Sequence, residues 1–420
     1  MSARLTRFGF PPRGRRRRFL ATAGLGALTA AGLAGCGTTA GEARHLSEAP
    51  IPVQPAPTPT PARFPPVRLP EDEAPHDVLT EWWYYTGHLY EGTDEYGFEL
   101  VMFRGIRGDR PPGYAAHFAV TDLPRQRFRY DQRADVALNE APVPATAPPG
   151  GPAPDGSRPP GVVAVTPAGG GFDLALGDWR MRGRDGQDWL SAAMPGYRLE
   201  AALTALRPPA LHEGEPPVIP GLISFGPAGY SYYYSRTRMS VDGILEVEGA
   251  PRTVHGEAWM DHQWGDFLVL GGGGWDWFAA NLRDGRDVTI SVVRDDRGTV
   301  VMTSGTLVEA SGETRHLSAG SLSLEPTGTW TSPHTGVTYP SGWRLRLPEA
   351  SLDLLWTPLL ADQELDTRPS TGVVYWEGAV GLQDASSGAD LGRGYVELTG
   401  YAAPQTGRSS AAATRPGTAR

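Results

Sequence analysis

The stretch Trp83-Tyr84-Tyr85-Thr86-Gly87-His88-Leu89 leads through a turn into Phe98-Glu99-Leu100-Val101-Met102-Phe103-Arg104, and the pattern returns later in the chain. There Trp275-Asp276-Trp277-Phe278-Ala279-Ala280-Asn281-Leu282 leads through Asp284-Gly285 into Val288-Thr289-Ile290-Ser291-Val292-Val293-Arg294. Each copy is an aromatic strand, a turn and a strand that ends in arginine. Val254-His255-Gly256-Glu257-Ala258-Trp259 and Arg393-Gly394-Tyr395-Val396-Glu397-Leu398 echo one another as closing strands. Around them, short apolar runs alternate with Gly, Pro and Asp-Gly punctuation, the pattern of antiparallel hairpins, and helix signals are scarce. Tyr96-Gly97, Asp242-Gly243 and Asp284-Gly285 each read as a turn between two strands. The repeat predicts an all-β chain with two tandem antiparallel barrels, over residues 67–248 and 249–401. Barrels of this size fill with side chains or enclose one small ligand.

Outside the repeat, the chain reads as an address and a tether. Arginines at 13 and 15–18 precede a weakly apolar run over residues 21–34, which ends in Leu33-Ala34-Gly35-Cys36. Positive charge, short apolar run, small residues and cysteine in that order are a lipoprotein signal over residues 1–35, with Cys36 as the lipidated position. Arg16-Arg17-Arg18-Phe19-Leu20 also fits twin-arginine export. Residues 36–66 read as a Pro-rich tether, residues 141–161 as a long exposed loop, and residues 402–420 as a disordered tail. The expected location is extracytoplasmic, anchored to the cell membrane by lipid at Cys36; stable anchoring takes more than one acyl chain.

Composition narrows the chemistry. The chain has 420 residues, a net charge of -9 and one cysteine. Removing the seven arginines of the signal leaves a charge of roughly -16, which argues against a nucleic-acid partner. With Cys36 committed to lipid, disulfides, a thiol nucleophile and thiolate metal sites are excluded. No Gly-x-Ser-x-Gly elbow, His-Glu-x-x-His, phosphate loop or dinucleotide fingerprint occurs, so no cofactor or metal is expected.

Two clusters carry candidate chemistry. In Glu257-Ala258-Trp259-Met260-Asp261-His262-Gln263-Trp264-Gly265, a strand would put Asp261 and His262 on opposite faces. If the strand ends there, as the later glycines suggest, Asp261 becomes an acid/base and His262 its relay. In Thr80-Glu81-Trp82-Trp83-Tyr84-Tyr85, aromatic walls would disfavour the ionised form of Glu81 and suit it to general-acid work. Aromatic residues such as Trp83, Tyr85, Tyr233, Trp264, Trp277 and Trp376, with Glu377, are candidates to line an apolar ligand site.

Taken together, Thr80 to Gly87, Ala258 to Gly265, Trp275-Asp276-Trp277, Tyr375-Trp376-Glu377-Gly378 and Gly394 to Tyr401 resemble the AttH-like family, described as secreted hydrolases and related to carotenoid 1,2-hydratases. The resemblance implies two lipocalin-like (calycin-type) barrels. Hydratases of that kind protonate an alkene and add water to the cation, which would place His262 and Trp264 at the site. The acid those enzymes carry on a following strand has no counterpart in Val288 to Val293, leaving Asp261, Asp276 or Glu81 to replace it. Two functions follow as expectations: binding of a hydrophobic small molecule or lipid, or hydratase- or hydrolase-type catalysis on an isoprenoid-like substrate.

Overall fold

The computed structural model describes residues 64–402, apart from 107, 109–110, 137–160, 215–217, 226–228 and 268–272. The signal, Cys36, most of the tether, most of the long loop and nearly all of the tail lie outside the described residues.

Strands dominate, and no α-helix occurs among the described residues. The first sheet takes β1 (Thr80–Glu91), β2 (Asp94–Gly105), β3 (Gly113–Asp122), β4 (Arg127–Val136), β5 (Val162–Val165), β6 (Phe172–Leu176), β7 (Trp179–Arg184), β8 (Gln187–Met194), β9 (Tyr197–Ala205), β10 (Ala210–Leu211), β11 (Leu222–Ser224), β12 (Tyr230–Val247) and β13 (Ala250–Gly265). The second takes β14 (Gly274–Leu282), β15 (Asp287–Arg294), β16 (Val300–Val308), β17 (Thr314–Ser318) and β18 (Ser323–Pro326). A small ribbon of β19 (Thr329–Thr331) and β20 (Thr338–Pro340) follows. The second sheet then resumes with β21 (Trp343–Leu347), β22 (Leu352–Pro358), β23 (Glu364–Asp366), β24 (Val374–Asp384) and β25 (Asp390–Leu398).

The pairing orders are β4-β3-β2-β1-β13-β12-β9-β8-β7-β6-β5 and β17-β16-β15-β14-β25-β24-β22-β21-β18. In each sheet a meander opens the unit and the last strand returns beside the first, so the two repeated hairpins and their closing strands occupy equivalent places. These are two lipocalin-like sheets, the first curled nearly into a barrel and the second into a half-barrel. Curling brings β4 across to the β6–β7 turn, where Arg133 donates to the Leu176 carbonyl at 3.1 Å and lies 4.2 Å over the Trp179 ring.

Three sequence expectations change. The division near Gly249 is displaced, because β13 pairs along its length with β1 and β12 and closes the first sheet; the second begins at Gly274. Asp242-Gly243 and Tyr96-Gly97 lie inside β12 and β2, whereas Asp284-Gly285 is a turn. The β12–β13 turn is Glu248-Gly249, both at positive φ. Gly97 instead permits close approach: a Cβ there would sit 2.7 Å from the Tyr395 hydroxyl and 2.9 Å from Ala379 Cβ on the other sheet. The last residues of the expected tether also pack, since Phe64 is buried and Tyr232 donates to the Pro65 carbonyl at 2.8 Å.

Alternation along the central strands makes two environments. In β1, Trp83 and Tyr85 enter the core of the first sheet, as do Met260 and Trp264 of β13 and Tyr232 and Tyr234 of β12. The opposite faces, with Tyr84, Val101 and Trp259, pack on Trp277, Ala279, Ala379 and Tyr395 of the second sheet. The second core holds Phe278, Ile290, Trp356, Trp376 and Val396. With both faces of these strands covered, their sequences read as unbroken apolar and aromatic runs.

Candidate functional site

Residue parity on β13 decides which side chains can work together. The strand does not end at Asp261; it runs on to Gly265, opposite Thr80 of β1. Asp261 therefore faces the second sheet, and His262 faces the first core.

His262 meets Glu81 there. Glu81 Oε1 lies 3.0 Å from His262 Nε2 and 2.7 Å from His76 Nδ1, and its other oxygen accepts the His76 backbone N–H at 2.9 Å. Trp83 stacks on His262 with ring centroids 4.6 Å apart, and Trp264 stacks on His76 at 4.3 Å. Burial opposes the charge of Glu81, but hydrogen bonds and attraction from His262 and His76 prevail and hold its carboxyl below the usual range. Burial lowers His262 to about 4 against the pull of Glu81. Glu81 is thus an anchored carboxylate, and the protonated general acid expected from its aromatic neighbours is not what the fold makes of it. Tyr85 also stands in this core, donating to Asp188 at 2.9 Å.

The second environment is an open cleft between the sheets. Its walls include Trp82, Tyr84, Phe103, Tyr233, Trp275 and Trp277, and about 1210 Å³ of its space, part of it open solvent, is free of protein atoms. Four carboxyls, Glu99, Glu213, Asp261 and Glu397, also line it. Asp261 is locked in place: one oxygen accepts Trp259 Nε1–H at 2.6 Å and the Ser235 hydroxyl, the other the Tyr233 hydroxyl at 2.7 Å. Tyr233 in turn accepts Trp277 Nε1–H at 3.1 Å. His212 bridges Ser235 and Thr306, at 2.7 and 2.8 Å, and so links the sheets through Asp261's partner. Burial raises Asp261 to about 6 against those three donors, and burial lowers His212 to about 3.

Glu397 is placed differently. It lies directly across from Trp277 of β14 on one side and from Glu377 of β24 on the other. One of its oxygens accepts Trp275 Nε1–H at 2.8 Å. Behind it, Glu377 accepts the Tyr84 hydroxyl at 2.7 Å, and Glu99 accepts the Tyr375 hydroxyl at 3.0 Å. The remaining oxygens of Glu377 and Glu99 are buried without a hydrogen-bond partner. Burial raises Glu397 to about 7, with Asp261 and Asp276 adding repulsion and the Trp275 bond opposing. Glu99 and Glu377 also stand above the carboxylate range, pushed up by burial and then by their acidic neighbours. Paired carboxyls in a low-dielectric site cannot all ionise, so protons are retained there near neutral pH.

Among the residues singled out in the sequence, Asp261, Tyr233 and Trp277 meet in the cleft, and Glu377 stands just behind it. Glu81, His262, Trp83, Tyr85 and Trp264 belong to the first core, away from Asp261. Trp376 belongs to the second core, where its indole donates to the Ala361 carbonyl at 2.9 Å. Asp276 accepts Arg294 at 2.6 Å and the Tyr401 hydroxyl at 2.9 Å. The cleft-facing residues Thr289, Ser291 and Val293 of β15 carry no acid, and the carboxyl comes from Glu397 on β25, the other neighbour of β14. Sequence reasoning missed Glu397 and Glu99 as site residues. Their signal was a glutamate set inside an apolar strand, as in Tyr395-Val396-Glu397-Leu398 and Phe98-Glu99-Leu100.

Fold and site define an all-β protein of two curled sheets with an acid-lined aromatic cleft between them. The AttH-like profile matches residues 59–401, and the chain belongs to that family. It is 31% identical to an AttH from Nitrosomonas europaea, whose structure superposes with a TM-score of 0.66, covering 80% of this chain and 98% of that one. A kievitone hydratase from Nectria haematococca, 17% identical, shares the fold with a TM-score of 0.58, covering 80% of this chain and 93% of that one. No curated protein matches the chain.

Proposed function

We propose that this protein is a hydratase-type acid/base enzyme acting on a hydrophobic, isoprenoid-like alkene in the cleft between its sheets. The observation that carries the reading is Glu397: a half-buried carboxyl lining the cleft, raised to about 7 chiefly by loss of solvent, set beside Glu377 and facing a wall of tryptophans. In the proposed step the Glu397 O–H bond breaks and its proton forms a C–H bond at one alkene carbon. The other carbon becomes cationic, and the faces of Trp275, Trp277 and Trp82 stabilise it, as aromatic faces stabilise cations. Water then forms the C–O bond and returns a proton to the Glu397 carboxylate, so the acid is regenerated. Asp261, with both oxygens already engaged by three donors, holds Tyr233 and Trp277 in position. The name of the kievitone hydratase that shares the fold adds support by analogy only.

Under the same proposal the enzyme works outside the cytoplasm, held at the membrane by lipid on Cys36, with no nucleic-acid partner. A hydrophobic substrate is then available from the bilayer beside it.

The test is incubation of the purified protein with isoprenoid alkenes in ¹⁸O-labelled water, followed by mass spectrometry of products and of the intact protein. Alcohols carrying ¹⁸O support the proposal. A co-purifying lipid that exchanges without any chemical change would replace it with a carrier function.

A further inference from the structure

The geometry points to a divalent transition-metal site, of zinc type, made by His76, Glu81 and His262 at one end of the first sheet's core. It is separate from the cleft and independent of the function proposed there. Nδ1 of His76 and Nε2 of His262 lie 2.7 and 3.0 Å from the same Glu81 oxygen, and all three donor atoms fall within 4.8 Å of one another. Ligands about 2.0–2.2 Å from a tetrahedral zinc ion stand roughly 3.4 Å apart, so side-chain shifts of about half an ångström would admit the ion. Two imidazoles and one carboxylate are a donor set that zinc takes, with a fourth position left for water.

Two further observations support a metal over a hydrogen-bonded cluster. The Trp83 and Trp264 stacks fix both imidazoles with their donor nitrogens turned to Glu81, so the set is arranged beforehand. The Glu81 carboxylate that both imidazoles face is also fully buried. A cation bound there would compensate that buried charge.

The site would act as a staple. Glu81 and His262 sit on the paired strands β1 and β13, and His76 comes from the segment that precedes β1. One ion would tie that segment to both strands, in a domain whose only cysteine lies at position 36 and which therefore has no internal disulfide.

Zn²⁺ titration of the metal-stripped, purified full-length protein tests this by calorimetry and thermal melting. One tightly bound equivalent is expected, with a melting temperature raised by several degrees and lowered again by chelator. His76→Ala should weaken binding at least 100-fold; His76 is partly exposed and outside the strands, so the fold should survive. If that variant does not fold, Co²⁺ added to the native protein reads the same geometry as visible ligand-field bands of a tetrahedral site. Absence of saturable Zn²⁺ binding, or of those bands, overturns the proposal. So does binding that persists in His76→Ala, which would assign the ion to surface pairs such as His255–Asp242 or His334–Asp362.

Discussion

At the scale of single residues, environment separates acids that the sequence presents as equals. Glu81 stays ionised between two histidines, Asp261 is held by three donors, and Glu397 keeps a proton because burial and acidic neighbours outweigh its single indole bond. Asp261→Asn tests the positioning role. An amide NH₂ cannot accept the Tyr233 or Trp259 hydrogen bond, so one buried donor is left unsatisfied, at a cost of about 1–3 kcal/mol. A drop in the urea midpoint with altered Trp277 fluorescence is the expected result; unchanged stability would show that Asp261 anchors nothing. The residue types of the site were legible in the sequence, since Asp261, Tyr233, Trp277 and Glu377 stood out from their aromatic surroundings. Glu397 was not recognised, because its importance rests on a cross-strand neighbour, Glu377, that only the register of β24 and β25 supplies.

At the scale of elements, the two-residue period of β13 was readable, and an unbroken strand would separate Asp261 from His262, but the expected strand end put them together. Where the strand ended was not readable, because pairing with β1 and β12 overrides the glycines that suggested a stop. The Asp242-Gly243 turn failed for a related reason. Its glycine answers to a neighbouring strand: a Cβ there would sit 2.5 Å from the Glu200 carbonyl oxygen of β9. Gly97 plays a comparable part between the sheets. Gly97→Ala should force β2 away from Tyr395 and Ala379 and destabilise the fold by about 1–3 kcal/mol, the usual cost of overpacking. Equilibrium urea unfolding checks this; an unchanged midpoint would mean the sheets are not closely packed at that point.

At the scale of the whole molecule, the repeat announced two like units, and the sheets share one order of strands. How their outer faces pack to make a cleft was not in the sequence, because that depends on long-range contacts such as Tyr84 to Glu377 and His117 to Tyr375, at 2.7 Å each. The buried acids give the molecule a pH signature. Their folded-state values lie above the unfolded ones, so their stabilisation is present at low pH and is lost as pH rises through about 6 for Asp261 and about 7 for Glu397. His117 and His212, each lowered to about 3 by burial, act in the opposite sense: their contribution is present above about pH 6.5 and is lost as pH falls. Above pH 6.5 the carboxyls dominate, and the melting temperature should fall between pH 6.5 and 8.5; the Glu377→Gln, Glu397→Gln double variant should flatten that slope. A melting temperature that rises across this range would contradict the assignment of protons to the cluster. The most direct measurement is the turnover of Glu397→Gln on an alkene that the native protein hydrates, with ligand binding followed in parallel. The account predicts at least a 100-fold loss of turnover, the usual scale for a general acid, with binding retained, and native kcat/KM falling as pH rises through about 7. Native-like turnover in Glu397→Gln would contradict it.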